Sequence, residues 1–155
     1  MMIHRLHFDS PVGALYLQAD DSHLTRVSFT PSDEDYPQHT RQPVLTRAKQ
    51  ELTAYFEQGQ RDFTVPLKPS GTDFQNRVWR ALLTIPFGQT QSYGQIAQKI
   101  NRPKAARAVG MANNKNPIVI IIPCHRVIGA SGQMVGYGGG LSLKEWLLNH
   151  EQSAL

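Results

Sequence analysis

Apolar residues recur at short intervals through the first thirty positions: Ile3, Leu6 and Phe8, then Val12, Leu15 and Leu17, then Leu24, Val27 and Phe29. Ser10-Pro11 and Asp20-Asp21 separate the three runs, so the pattern predicts a small antiparallel meander. Pro31 to Pro43 is polar and acidic and predicts a loop. The period then changes. Leu45, Ala48, Leu52, Tyr55 and Phe56 share one face of a predicted helix of about fourteen residues that ends near Gly59. Phe63 to Leu67 suggests one more strand. Lys68-Pro-Ser-Gly71 has the composition of a linker, and it divides the chain into domains 1–70 and 71–155.

In the second half, three segments share one spelling. Thr72-Asp-Phe-Gln75, Ser92-Tyr-Gly-Gln95 and Ser142-Leu-Lys-Glu145 each fit a capping box, in which a hydroxyl caps the third residue's N–H and a Gln or Glu side chain reaches back. The first predicts a helix carrying Phe74, Val78, Trp79 and Leu82. The second predicts a short helix carrying Tyr93, Ile96, Ala97 and Ile100. Asn101-Arg102-Pro103 then turns the chain, and Pro103 suits the first position of a further helix running from Lys104 to about Ala112. Two short helices joined by a tight turn describe a helix-turn-helix. The aliphatic run Ile118–Ile122 reads as a buried strand that stops at Pro123. Gly129-Ala-Ser-Gly132 reads as a hairpin turn leading to the Gly-rich stretch 136–140. The elements give a mixed α/β (α+β) chain.

Charge sharpens the second helix of that pair. The net charge is +4. Residues 1–71 carry −2, residues 72–116 carry +6, and residues 117–155 are neutral. A basic segment built on a helix-turn-helix is the electrostatic footprint of a nucleic-acid surface. The second helix has an unusual composition for a reader of bases. Ala105, Ala106, Ala108 and Gly110 allow close backbone approach and leave Arg107 as the one long probe. Sequence-independent binding is expected, since base readout needs long polar side chains.

Composition bounds the rest. A single cysteine excludes an intramolecular disulfide, a CxxC redox pair and any multi-cysteine zinc site, and it suits a reducing cytoplasm. The segment MMIHRLHFDS carries charges where a signal peptide needs an apolar core, and Ile118–Ile122 is too short to cross a bilayer. A cytoplasmic chain acting without membrane contact is expected.

That cysteine, Cys124, is followed by His125. A thiolate, not a thiol, is the nucleophile, and an imidazole can take the thiol proton. Neighbours on a strand point to opposite faces, so the pair needs a bend or a bridging water. A carboxylate is expected on the far imidazole nitrogen, and Glu151 is freer than Glu145, which has a capping role. Three other chemistries fit parts of this pattern. They are a Cys–His amide or ester hydrolase, a DNA-binding module with a structural cysteine, and zinc held by Cys124, His125, His150 and Glu151.

PCHRV after an aliphatic run, RAVGxA upstream and GYxGGxxxKEWLLxHE downstream resemble the O6-alkylguanine-DNA alkyltransferases, with the match spanning about Thr72 to Glu151. The resemblance implies a small ribonuclease-H-like N-terminal domain and a winged-helix-like C-terminal domain with the helix-turn-helix. It implies direct, irreversible, single-turnover transfer of an alkyl group from O6-alkylguanine in DNA to Cys124, with O4-alkylthymine as a second candidate substrate. In that reading His125 is the base through a water and Glu151 orients it. Asn116 ties the helix-turn-helix to the active-site segment, and Lys144 lies near the thiol. Tyr93 turns the nucleotide and hydrogen-bonds the guanine. Arg107 fills the stack, and Arg102, Lys104, Ala106 and Lys115 join it against DNA. Val127, Met134, Tyr137 and Gly138 line the guanine pocket, and the carbonyls of Cys124 and Val127 accept from the exocyclic amine. The implied partner is double-stranded, or single-stranded, DNA met by a monomer. No cofactor and no metal are expected, since the N-terminal zinc ligands of some relatives are missing.

Overall fold

The computed structural model describes residues 2–134, 136–137 and 139–155. They form two compact units, one reaching to Ser70 and including Pro117–Val119, the other made of Gly71–Asn116 and Ile120–Leu155.

In the first unit, β1 (His4–Ser10), β2 (Gly13–Ala19) and β3 (Leu24–Ser28) form an antiparallel meander in the order β1-β2-β3. Leu6 pairs with Leu17 and Phe8 with Leu15, so alternate residues of both strands share the buried face. Helix α1 (Pro43–Gln58) covers the sheet with Leu45, Ala48, Leu52, Tyr55 and Phe56. The Gln42 side chain caps its start, Pro43 occupies the first turn, and Gly59 ends it at φ 64°, a conformation that favours glycine.

The open edge of β3 is occupied by two short segments. Leu24 is bridged in parallel to Leu67, and Val27 to Ile118. The strand expected over Phe63–Leu67 is therefore a single bridge. Pro117–Val119 belongs to this unit, although the predicted boundary assigned it to the C-terminal domain. The Val27 N–H donates to the Pro117 carbonyl at 2.9 Å, and the Val119 N–H donates to the Val27 carbonyl at 3.2 Å.

The second unit contains α2 (Asp73–Leu82), a two-residue strand β4 (Gln91–Ser92), α3 (Tyr93–Lys99), α4 (Ala106–Asn114), a 3₁₀ turn at Cys124–Arg126, β5 (Val127–Ile128) parallel to β4, and α5 (Leu141–Ser153). Both expected capping boxes at Thr72 and Ser92 form with reciprocal bonds. The third does not. Helix α5 already begins at Leu141, behind Gly140 at φ 95°, and Ser142 lies inside its first turn. Helices α2, α3 and α4 pack together, and the Trp79 indole N–H donates to the Ala112 carbonyl at 2.9 Å to join α2 to α4.

The turn between α3 and α4 is longer than predicted. Asn101 takes φ 60°, which Asn tolerates better than most residues. The Ala105 N–H closes a turn on the Arg102 carbonyl, so α4 starts at Ala106 and not at Pro103 or Lys104. Gly129-Ala-Ser-Gly132 makes a turn closed by the Gly129 N–H on the Gln133 carbonyl, with no second strand paired to β5 beyond β4 among the described residues. No helix among the described residues is long and apolar enough to cross a membrane.

Candidate active site and nucleic-acid interface

Ile118–Ile122 is not the strand its β-branched run predicts. Only Ile118 bridges to a strand, and Ile120 adopts φ 73°, an unusual conformation for a β-branched residue. One side chain and one local backbone bond replace the missing ladder. The Asn116 amide donates to the Ile122 carbonyl at 2.7 Å, and the Cys124 N–H donates to the same oxygen at 2.8 Å. The chain enters Cys124 as a tight helical turn, closed by the Arg126 N–H on the Pro123 carbonyl. This removes the objection to adjacent Cys and His residues, because a 3₁₀ turn does not alternate faces as a strand does.

Cys124 is buried, and His125 and Glu151 have no exposed surface. His125 Nε2 lies 2.6 Å from Glu151 Oε2. Arg126, which the sequence pattern did not single out, grips the same carboxylate with Nε at 2.8 Å from Oε1 and Nη2 at 3.0 Å from Oε2, a two-pronged geometry that favours charge. Its Nη1 donates to the Ile85 carbonyl at 2.8 Å, and the Gly88 N–H donates to Glu151 Oε1 at 3.2 Å. Desolvation alone would raise the Glu151 carboxyl, but the hydrogen bonds from His125 and Arg126 and the Arg126 charge hold it far below the usual carboxylate range. Glu151 is therefore ionised, and His125 presents its Nε2–H to it.

Burial pushes His125 below its ordinary pKa against the pull of Glu151, which keeps the ring neutral at pH 7. With Nε2 carrying the proton, Nδ1 holds the lone pair, and this buried atom has no hydrogen-bond partner among the described residues. Burial pushes the Cys124 thiol up, opposed by the Asn116 side chain, the Lys144 charge and the Tyr137 side chain. Lys144, fully buried on α5, is pushed down by desolvation and pulled back up by Cys124. Tyr93, the first residue of α3, is raised by burial and by the charge of Cys124. Cys124, His125, Glu151, Asn116, Tyr93 and Lys144 thus fall in one electrostatic neighbourhood.

Asn113, also missed, donates from its buried Nδ2 to the Cys124 carbonyl at 3.3 Å. The Val127 N–H reaches the same oxygen. Exocyclic-amine recognition at the Cys124 carbonyl would have to displace one of these two donors. Of the expected pocket residues, Val127 is buried on β5, Met134 and Tyr137 are half-buried in the loop before α5, and Gly138 lies outside the described residues.

Arg102, Lys104, Arg107 and Lys115 are exposed, and Ala106 is half-buried at the start of α4. Gly110 faces the Tyr93 ring. A methyl group added there would meet the ring at 3.7 Å, ordinary van der Waals contact. Among the described residues, no group of three or more His, Cys, Asp or Glu side chains is placed to hold a metal ion. His150, one of the four expected zinc ligands, stacks on Trp146 with ring centroids 5.1 Å apart.

Residues 3–69 match the ribonuclease-like domain of 6-O-methylguanine DNA methyltransferase, and residues 73–153 match its DNA binding domain. The methylated-DNA–protein-cysteine methyltransferase of Mycobacterium bovis is 51% identical over 98% of this chain and 94% of its own length. The protein of that name from Methanosarcina acetivorans is 47% identical over 94% and 96%. The crystal structure of Mycobacterium tuberculosis O6-methylguanine methyltransferase superposes with a TM-score of 0.89 at 48% identity, covering 99% of this chain and 95% of that one. Mycobacterium tuberculosis OGT in complex with DNA gives 0.89 at 49% identity, covering 97% and 94%. With both halves matched in order and relatives near half identity over almost the full length, the chain belongs to the 6-O-methylguanine DNA methyltransferase family.

Proposed function

We propose that this chain repairs DNA by moving an alkyl group from guanine O6 onto the sulfur of Cys124, once per protein molecule. The observation that carries this reading is the buried Cys124 thiol preceding a histidine whose Nε2 is fixed on an ionised glutamate. The sulfur attacks the alkyl carbon, the S–C bond forms and the C–O6 bond breaks, and the electron pair stays on guanine. The thiol proton passes through a water to His125 Nδ1, and guanine takes up a proton as it leaves. Glu151 holds the imidazole tautomer and stabilises its charged form. Lys144 and the Asn116 and Tyr137 side chains favour the thiolate against burial. The thioether formed has no second thiol to resolve it, because the chain holds one cysteine. No cofactor is required, since guanine itself is the leaving group.

A reactive carbon inside a duplex must be swung out of the stack before a side chain can reach it. Tyr93 helps turn the nucleotide, Arg107 fills the gap, and Arg102, Lys104, Ala106 and Lys115 lie against the backbone. Val127, Met134 and Tyr137 bound the base. The partner is double-stranded DNA met by a monomer, with single strands and O4-alkylthymine as further substrates. A cytoplasmic location keeps Cys124 reduced.

The test is the intact mass of the protein after mixing with an oligonucleotide containing O6-methylguanine. The expected result is a gain of one CH₂ that maps to Cys124, stops at one equivalent and is lost in Cys124→Ser. DNA binding without any mass gain would overturn the reading and leave a damage-sensing module.

A further inference from the structure

Outside α4, a second basic surface lies on the exposed side of α2. Arg77, Arg80 and Thr84 project from α2 and its C-terminal turn toward Lys99 and Asn101 at the end of α3, around a cleft of about 600 Å³. A neighbouring hollow of about 600 Å³ shares Arg77 and Arg80 and adds Arg102 and Asp73. Arg77, Arg80, Lys99 and Arg102 are all exposed, and none forms an ion pair among the described residues. Asp73 is the only acid lining either hollow, and it sits in the first turn of α2, where the helix dipole already favours it. Four cations around open hollows repel one another unless an anion lies among them.

We propose that this surface is a second nucleic-acid contact, taking the phosphate backbone of duplex DNA beyond the stretch that α4 covers. The inference rests on the DNA-binding reading above and extends it to residues the recognition helix does not contain. Three features favour a backbone over a small anion. The hollows are wide and open, so the cations are spread out instead of converging on one point. From Arg77 to Thr84, along α2 and its last turn, the chain advances about 10 Å at ~1.5 Å per residue, a length over which a parallel duplex presents roughly three phosphates of one strand at ~3.4 Å of duplex axis each. The basic strip also runs on in sequence through Arg102 and Lys104 to Arg107. Asn101 adds an uncharged polar group of the kind that bonds phosphate oxygens.

The experiment measures affinity against salt on two duplexes, one of about 10 bp and one of about 30 bp, roughly one and three helical turns. Full-length wild type is compared with Arg77→Gln/Arg80→Gln/Lys99→Gln, and thermal melts check that the variant is folded. Each phosphate that the protein no longer neutralises lowers the slope of log K against log salt by about 0.9. The variant's slope on the long duplex is expected to be shallower by about two to three, and on the short one it keeps the wild-type value. Equal slopes for the two proteins on the long duplex would overturn the proposal. So would a reduction of the same size on both duplexes, and so would binding of inorganic phosphate at these arginines with the long-duplex slope unchanged. A wild type that gains the alkyl group while the slopes stay equal sinks this surface and leaves the proposed function standing. A wild type that binds no DNA sinks both.

Discussion

His125 Nε2 and Glu151 Oε2 lie 2.6 Å apart, and neither side chain reaches solvent. The same carboxylate carries the Arg126 fork, so a single buried negative charge balances a guanidinium and orients an imidazole.

Glu151→Gln therefore leaves Arg126 buried without its counter-charge and is expected to cost about 3–5 kcal/mol at neutral pH. The pH dependence follows from the depressed carboxyl. An acid whose folded pKa lies below its unfolded value stabilises the fold above about pH 4.3, and that contribution drains away as pH falls toward the folded value. Denaturant titrations from pH 7 into the acid range should show wild type losing stability steeply below about pH 4.3, with a flatter curve for Glu151→Gln. Parallel curves would count against the pair.

His125 is held neutral by burial. The acid limb of single-turnover alkyl transfer should fall below the ordinary imidazole value of about 6.5. His125→Gln should slow transfer by about 10²- to 10⁴-fold and abolish that limb. Rapid-quench rates across pH measure both, and an acid limb above about pH 7 would contradict the neutral ring.

Arg107→Ala should slow transfer from duplex DNA and lower the salt slope of binding by about one, while transfer from the free O6-methylguanine base keeps its wild-type rate. An equal slowing on the free base would show that the substitution damages the chemistry and not the flipping of the nucleotide.

The capping positions make a paired test. Thr72→Ala removes a side chain that caps α2 and should cost about 1 kcal/mol. Ser142→Ala, which alters the same four-residue spelling but touches no cap, should fall within about 0.5 kcal/mol of wild type. Thermal melts of the two variants separate a formed box from a mere pattern.

These two positions also show where local rules stop. The meander, α1 with its Gly59 end, and the Thr72 and Ser92 boxes were legible because each depends on residues within one or two turns of itself. Ser142 misled because Gly140, at φ 95°, starts α5 two residues earlier. Ile118–Ile122 misled for a different reason. Its composition is that of a strand, but the Asn116 amide and the Cys124 N–H claim the Ile122 carbonyl, and Ile120 turns the backbone. At the site, the histidine–carboxylate pair could be anticipated from the chemistry of a thiol beside an imidazole. Arg126 could not, because an arginine in an apolar run does not reveal that it is buried, and its partner comes 25 residues later. The available clue was the run itself, since a charge there must either face water or find an opposite charge.

Pro117–Val119 has a consequence for the order in which the protein is made. The edge of β3 is completed by residues that leave the ribosome after α2, α3 and α4 have all been synthesised. During translation the N-terminal sheet waits with part of that edge uncovered, and an open strand edge is a template for wrong partners. The last β3 partner to emerge, Ile118, lies only six residues ahead of Cys124, so the nucleophile is reached almost as soon as that edge closes.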